Sequence, residues 1–202
     1  MIVTLDSQCG CGGAEIGKAL AERLGLAFYD KEILPIAAKE GQLDLSIVES
    51  YDEIPVSGPL YAVAARASTI HPGKVGRPVA EQVYLAEYHA IQKLAGEGSC
   101  LFMGRCSDRI LQNRTDCVHI FLYAPLTYRV RQTAQSKKLS DQEAKKLIET
   151  TDQRRKLYYN TFSGRKWGHL KNYHLCADSS RLEAAGLVET LYLYIKNFSI
   201  AE

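Results

Sequence analysis

The chain has 202 residues, 46% hydrophobic and 24% charged, a balance that fits an ordinary soluble globular protein able to bury a real core. Its formal net charge of +2 is too small to make nucleic acid an expected partner. Apolar runs stop well short of the roughly 18–20 residues a membrane span needs, and Met1–Asp6 lacks the basic and long apolar regions of a secretory signal. A cytoplasmic protein forming one domain is therefore expected, with no membrane partner and with a homo-oligomer left open.

Ile2–Asp6 is a short apolar run ending in turn residues and predicts a buried strand. The cluster Gly10-Cys11-Gly12-Gly13 follows, and then Ile16, Leu20 and Leu24 recur at helical spacing up to a C-capping Gly25. Ala27–Tyr29 predicts a second strand, and Asp30 suits the N-cap of a helix through Ile33, Ile36 and Ala37. Residues 42–78 carry Pro55, Pro59, Pro72 and Pro78 and read as short helices and loops. A helix over Gln82–Leu94 ends at Gly96 and Gly98, before strands at Cys100–Met103 and Val118–Tyr123. These runs are continuously apolar, as in a parallel sheet covered on both faces. Pro125 opens a charged helical stretch, and Ser140 with Glu143 has the form of a capping box starting a helix at Asp141 that runs to about Tyr159. Tyr173–Ala177 predicts the fifth strand, and Ser179 or Ser180 suits the cap of a last helix through Leu182, Leu187 and Leu191. Strands alternating with helices indicate right-handed βαβ units.

Six cysteines without a secretory signal are expected as reduced, mostly buried thiols. Cys9 and Cys11 form one C-x-C with no second pair to complete a zinc site, and the five histidines show no metal spacing. No metal-binding residues are therefore expected.

A glycine cluster between a buried strand and a helix makes an anion site, because its amides converge and the helix dipole favours negative charge. A tight strand-to-helix turn without a ligand is the simpler alternative. Two phosphate-binding templates compete for the loop. G-x-x-x-x-G-K-[ST] places its first glycine on Ser7, its glycine-lysine pair on Gly12 and Gly13, and its hydroxyl on Ala14. G-x-G-x-x-G starts at Gly10 and Gly12 but meets Glu15 at its third glycine, although Asp30 stands about 20 residues on, where a ribose-binding acid would sit.

The opening D-S-Q-C-G-C-G-G-A-E-I-G-K, the segment F-M-G-R-C-S-D at 102–108, and D-Q-R-R-K-L-Y-Y at 152–159 with W-G-H-L-K-N-Y-H-L at 167–175 resemble the cytidylate kinase-like family. The resemblance spans nearly the whole chain and is weak between Gln42 and Pro78. It implies a three-layer P-loop NTPase-type fold with a five-stranded parallel sheet, an acceptor-site helical segment near 42–78 and a lid near 127–168. It implies phosphoryl transfer from ATP, with Mg2+, to a small-molecule nucleotide, CMP or dCMP.

Carried over by position, Ser7, Cys9, Gly10, Cys11, Gly12, Gly13 and Ala14 would cradle the donor phosphates. Asp30, Arg105, Asp108 and Asp152 would face the acceptor, and Arg131, Arg154 and Arg155 would act on the transferred group, with Arg129 beside them. Guanidinium groups suit bidentate phosphate contact, although each of these arginines reads equally well as a solvated cation. The departure from the pattern is Gly13 and Ala14, where the usual lysine and hydroxyl stand. Such proteins often lack the lysine but usually carry an arginine where this chain has Ala14. A non-catalytic nucleotide-binding protein and, less readily, a dinucleotide-dependent oxidoreductase therefore stay open. Lys18, five residues past Gly13, lies about 140° around the helix and is not expected to reach a phosphate.

Overall fold

A computed structural model describes residues 1–55 and 77–198. Five strands, β1 (Ile2–Ser7), β2 (Ala27–Tyr29), β3 (Cys100–Met103), β4 (Cys117–Tyr123) and β5 (Leu175–Asp178), form one all-parallel sheet in the order β2-β3-β1-β4-β5. Eight α-helices are described: α1 (Gly13–Leu24), α2 (Ile33–Gly41), α3 (Leu45–Tyr51), α4 (Val79–Glu97), α5 (Ser107–Ile110), α6 (Leu126–Lys137), α7 (Asp141–Ser163) and α8 (Ala184–Lys196).

Successive strand residues face opposite sides of a sheet, and here both sides are apolar. Ile2, Cys100, Phe102 and Cys117 pack under α2, α3 and α4. Val3, Leu5, Leu101, Val118, Ile120 and Leu122 pack under α1 and α8. The result is the expected three-layer α/β arrangement. α6 and α7 pack against each other over the carboxyl end of the sheet. Part of the expected acceptor segment, residues 56–76, lies outside the described residues.

The punctuation of the chain follows its predicted chemistry in several places. Gly25 ends α1 with a left-handed φ of 69°, its N–H bonding to the carbonyls of Ala21 and Glu22. Ser140 Oγ accepts from the Glu143 amide at 3.3 Å while Glu143 Oε2 accepts from the Ser140 amide at 2.9 Å, which makes the capping box real. Two expected caps are not used. Glu32 occupies the cap of α2, because Asp30 turns its carboxylate to Arg105 instead. Neither Ser179 nor Ser180 caps α8, which starts after Glu183: Ser180 bonds to Asp178 and Ser179 is buried. The fifth strand begins at Leu175 rather than Tyr173, since a 3-10 turn over Leu170–Asn172 still holds the Tyr173 amide. All six cysteines are free, and four are buried.

His119 lies inside β4, hydrogen-bonded through Nδ1 to Thr4 Oγ1 at 2.8 Å, its ring stacked 4.9 Å from that of His174. The His119 amide in turn donates to His174 Nδ1 at 3.0 Å. Burial, and then the neighbouring His174, push the His119 pKa down to about 4. A base whose folded pKa lies below its unfolded value of 6.5 contributes stability that is complete above pH 6.5. That stability is lost as the pH falls towards about 4, at up to about 1.4 kcal/mol per pH unit. In urea denaturation at pH 7.5, 6 and 5 the stability of wild type relative to His119→Gln should fall as the pH falls, a difference that cancels the opposite contributions of the buried carboxyl groups Asp6 and Glu87. A difference that stays constant with pH would refute the assignment.

Candidate functional site

Ligands of open α/β sheets bind at the carboxyl ends of the strands, where neighbouring connections run to opposite faces. The glycine loop stands at that place, between β1 at the centre of the sheet and α1. Gly10 and Gly12 adopt left-handed φ values of 84° and 73°. A Cβ on Gly10 would stand 2.8 Å from Thr133 Oγ1 and 2.9 Å from the Arg129 carbonyl, so α6 lies directly on the loop. Gly12 is the N-cap of α1 and no side chain caps that end. The first amides of the helix lack intrahelical partners and face the loop, which is the geometry of an oxyanion cup.

The loop is gripped from α6 and α7. Asp152 on α7 accepts the Cys9 amide at 2.7 Å, while Arg129 on α6 donates to the Cys9 carbonyl at 3.0 Å. Arg129 and Asp152 are themselves paired at 2.6 Å, and Arg129 Nε donates to the Ala124 carbonyl at 3.0 Å. Both residues therefore act as a clamp on the backbone of Cys9. Sequence reasoning had placed Asp152 at the acceptor and Arg129 with the phosphate-contacting arginines.

Arg155 reaches over the same loop. Its Nη1 donates to the Ser7 carbonyl at 2.9 Å and its Nε to Glu53 Oε2 at 3.3 Å. Arg154, more exposed, stands 3.7 Å from the same Glu53 oxygen. Burial opposes ionisation of Glu53, but Arg155, Arg105 and Arg154 outweigh it and hold its carboxyl below the usual range. Arg131 stands apart on the exposed side of α6, its guanidinium 5.9 Å from the centre of the Tyr128 ring. Lys18 is exposed on α1, as its spacing implied.

Arg105 follows β3, as expected, but it is only 5% exposed. Two of its nitrogens donate to Asp52 at 2.9 and 3.0 Å, and Nη1 donates to Asp30 Oδ1 and to the Met103 carbonyl, both at 3.1 Å. Glu87 Oε1 lies 3.9 Å from its Nε. Asp30 and Arg105, both assigned to the acceptor, thus meet each other. Asp108 is buried and accepts the Tyr159 hydroxyl at 2.6 Å. The backbone here is strained: Gly104, Arg105 and Cys106 are consecutively left-handed, and so is Glu53.

Asp52, Glu53, Glu87 and Asp6 belong to this site although the sequence did not single them out. Glu87 was open to discovery, since it interrupts the apolar face formed by Val83, Ala86, Ala90 and Ile91. It accepts the Tyr158 hydroxyl at 2.7 Å, and its Oε1 has no hydrogen-bond partner. Burial pushes its pKa well above the usual carboxylate range, against the pull of Arg105. Asp6, the acid before the loop, accepts the Ser7 amide at 2.7 Å and the Trp167 indole N–H at 2.8 Å. Desolvation pushes its pKa up to about 7; Arg155 works against that and Asp108 with it.

The strand order separates the two loop templates. Dinucleotide-binding sheets place β2 beside β1 in the order 3-2-1-4-5-6, whereas here β3 stands between them. Sheet, glycine loop and overlying helical pair define a P-loop kinase-type fold. The chain belongs to the cytidylate kinase-like family, whose pattern matches residues 2–181. An uncharacterized protein from Eubacterium ventriosum ATCC 27560 shares the fold at a TM-score of 0.73 and 20% identity, over 98% of this chain and 99% of that one. Shikimate kinase from Bacteroides thetaiotaomicron aligns at 0.53 and 14% identity, over 97% and 98% of the two chains. TT1252 from Thermus thermophilus aligns at 0.52 and 15%, over 98% of each. At these identities the likeness is one of fold. No curated protein matches the chain significantly. Among the described residues no helix is long and apolar enough to cross a membrane.

Two measurements probe this geometry. Trp167 is the chain's one tryptophan, so its emission should titrate with a midpoint near 7 as Asp6 ionises beside the indole. Asp6→Asn should abolish that titration, and a wild-type midpoint near 4 would show that Asp6 is not held in this way. Arg105→Ala leaves buried carboxylates without their cation, so it should lower folding stability by about 3–5 kcal/mol. Chemical denaturation measures this, and a loss below about 1 kcal/mol would mean that the pairs contribute no more than surface ones.

Proposed function

We propose that this chain transfers a phosphoryl group from ATP to a nucleoside monophosphate, with CMP or dCMP as acceptor. The observation that carries this reading is the uncapped amino end of α1 under a glycine loop, with Arg155 fixed at the loop's first carbonyl. Phosphoryl transfer asks a protein mainly for positioning and for charge around the equatorial oxygens. The amides of Gly10, Gly12, Gly13 and Ala14 would hold the donor phosphates, those of Cys9 and Cys11 being given to Asp152 and to the Gln8 carbonyl, and Arg155 and Arg154 would supply charge from α7. Arg131 would join them only if the lid, about residues 127–168, closed further. Asp30 and Arg105 would meet the acceptor, whose phosphate would replace Asp52 on the guanidinium.

Magnesium would arrive on the nucleotide. Ala14 offers it no hydroxyl, and among the described residues no three His, Cys, Asp or Glu side chains gather as a metal site. The donor set fits an ion held chiefly by phosphate oxygens and water, the usual habit of Mg2+.

A second reading, nucleotide binding without catalysis, is favoured by one feature: Arg105, Arg129 and Arg155 are already engaged by carboxylates or carbonyls. Steady-state transfer from ATP to CMP, dCMP, UMP and other small acceptors decides between them. Arg155→Ala should lower kcat about a hundred- to a thousandfold, the usual effect of losing one charge-stabilising group. Lys18→Ala should leave both kcat and KM unchanged. Micromolar ATP binding with no transfer to any acceptor would establish the second reading.

A further inference from the structure

We propose that Ser7 and Gly13 form a matched pair in which the Ser7 side chain fills the space of a residue-13 side chain, and that Arg155 carries the positive charge which this exchange removes from the loop. The proposal rests on the phosphate-binding reading above. Its first support is steric. A Cβ on Gly13 would lie 2.8 Å from the Ser7 Cβ and closer still to its hydroxyl. The hydroxyl can rotate away; the Cβ cannot. Ser7 is the last residue of β1, paired in register with Leu122, and its amide is held by Asp6. Gly13 is the first residue of α1 and is itself buried. Both walls are rigid, so one of the two positions must lack a side chain.

The phosphate-binding template satisfies the same condition the other way round, with glycine at the position of Ser7 and lysine at the position of Gly13. This chain has moved the side chain from the helix wall to the strand wall, and the ammonium group has gone with the lysine. A loop lysine in the usual conformation is therefore excluded by Ser7, beyond being absent from the sequence.

The second support is the place of the cation bonded to Ser7 itself. Arg155 Nη1 is bonded to the carbonyl of Ser7, the residue that closes the lysine path. Its neighbours are Glu53 on one side and Asp6 below, so the guanidinium is held at the rim of the loop by charges of opposite sign. A lysine built into the loop stays with it in every state of the protein. Arg155 belongs to α7 and moves with that helix. In this chain phosphate affinity is thereby tied to the position of α7, which a loop lysine would not require.

The pair and the charge are tested by relocating the lysine. Wild type, Gly13→Lys, Ser7→Gly/Gly13→Lys, Arg155→Ala and the triple variant are compared by thermal denaturation. Calorimetric titration with ATP and with inorganic tripolyphosphate supplies the second readout. Gly13→Lys should lower the denaturation midpoint, and adding Ser7→Gly should restore most of the loss, a non-additivity expected only of residues in contact. Arg155→Ala should weaken tripolyphosphate about tenfold or more, as the loss of a charge-assisted hydrogen bond does. The triple variant should recover most of that affinity through its lysine.

Gly13→Lys as stable as wild type would overturn the matched pair. A triple variant that folds yet binds tripolyphosphate no better than Arg155→Ala would overturn the assignment of charge to Arg155. Wild type that binds neither ATP nor tripolyphosphate would overturn the assignment of charge to Arg155, while the matched pair stands or falls on the denaturation midpoints. Failure to phosphorylate any acceptor bears on the kinase reading alone, because neither readout depends on turnover.

Discussion

A guanidinium taken out of water must be met by negative charge or by carbonyls, since its desolvation otherwise costs several kcal/mol. Three of them, on Arg105, Arg129 and Arg155, meet at the carboxyl end of the sheet. The partners they draw in come from distant parts of the chain: Asp30 after β2, Asp52 and Glu53 after α3, Glu87 from α4 and Asp152 from α7. The apolar cores hold α1 and α8 to one face and α2, α3 and α4 to the other, and they would tolerate small slides of each helix. The ion pairs tolerate far less, because a displaced partner leaves a buried charge unpaired. They therefore set how α7 lies over the glycine loop, and with it the shape of the site.

This division explains what could be read from the residues. Each strand matches an apolar run within two residues, β2 and β3 at both ends, and in β1, β3 and β4 burial on two faces leaves no polar alternation to misread. The glycine loop, Gly25 and the Ser140–Glu143 box were legible because each is a local device whose chemistry is complete within a few residues. Strand order was legible in no local signal and comes from the structure. It is what separates this sheet from a dinucleotide-binding one, despite an acid at residue 30 and a partial G-x-G-x-x-G.

The side-chain roles were much less legible, for one physical reason. An arginine that will hold a phosphate and an arginine that will hold a carboxylate need the same group in the same kind of place. Arg105 and Asp30 were both assigned to the cleft, and both are there, bonded to each other. Asp152 was expected to face the acceptor, yet it holds the Cys9 amide, a partner 143 positions away that no spacing rule connects to it. Asp52 and Glu53 lie where prolines and mixed composition obscure periodicity. Asp30 and Ser180 show the same competition in miniature, since each has the chemistry of a helix cap and each is drawn instead to a tertiary or turn contact.

The engaged arginines and the proposed chemistry are compatible once the energetics of exchange are considered. The large cost in a phosphate site is stripping water from the cation, and here that cost is already met on folding by carboxylates. A phosphate arriving at Arg105 or Arg155 replaces one oxyanion by another, so it competes with Asp52 or Glu53 and does not have to desolvate a hydrated guanidinium. The displaced carboxylate must find water or a proton, and the surroundings bear on which. Burial raises the pKa of both Glu87 and Asp6, so each takes up a proton more readily than a solvated carboxylate would. The left-handed backbone at Arg105, Cys106 and Glu53 is strain retained at the two ends of this exchange. Groups held in such conformations by their ion pairs lose that restraint when the pairs part, which lowers the cost of opening the pair to a ligand. On the proposed reading, carboxylates that stand where phosphates would bind thus keep the arginines oriented until the ligand takes their place.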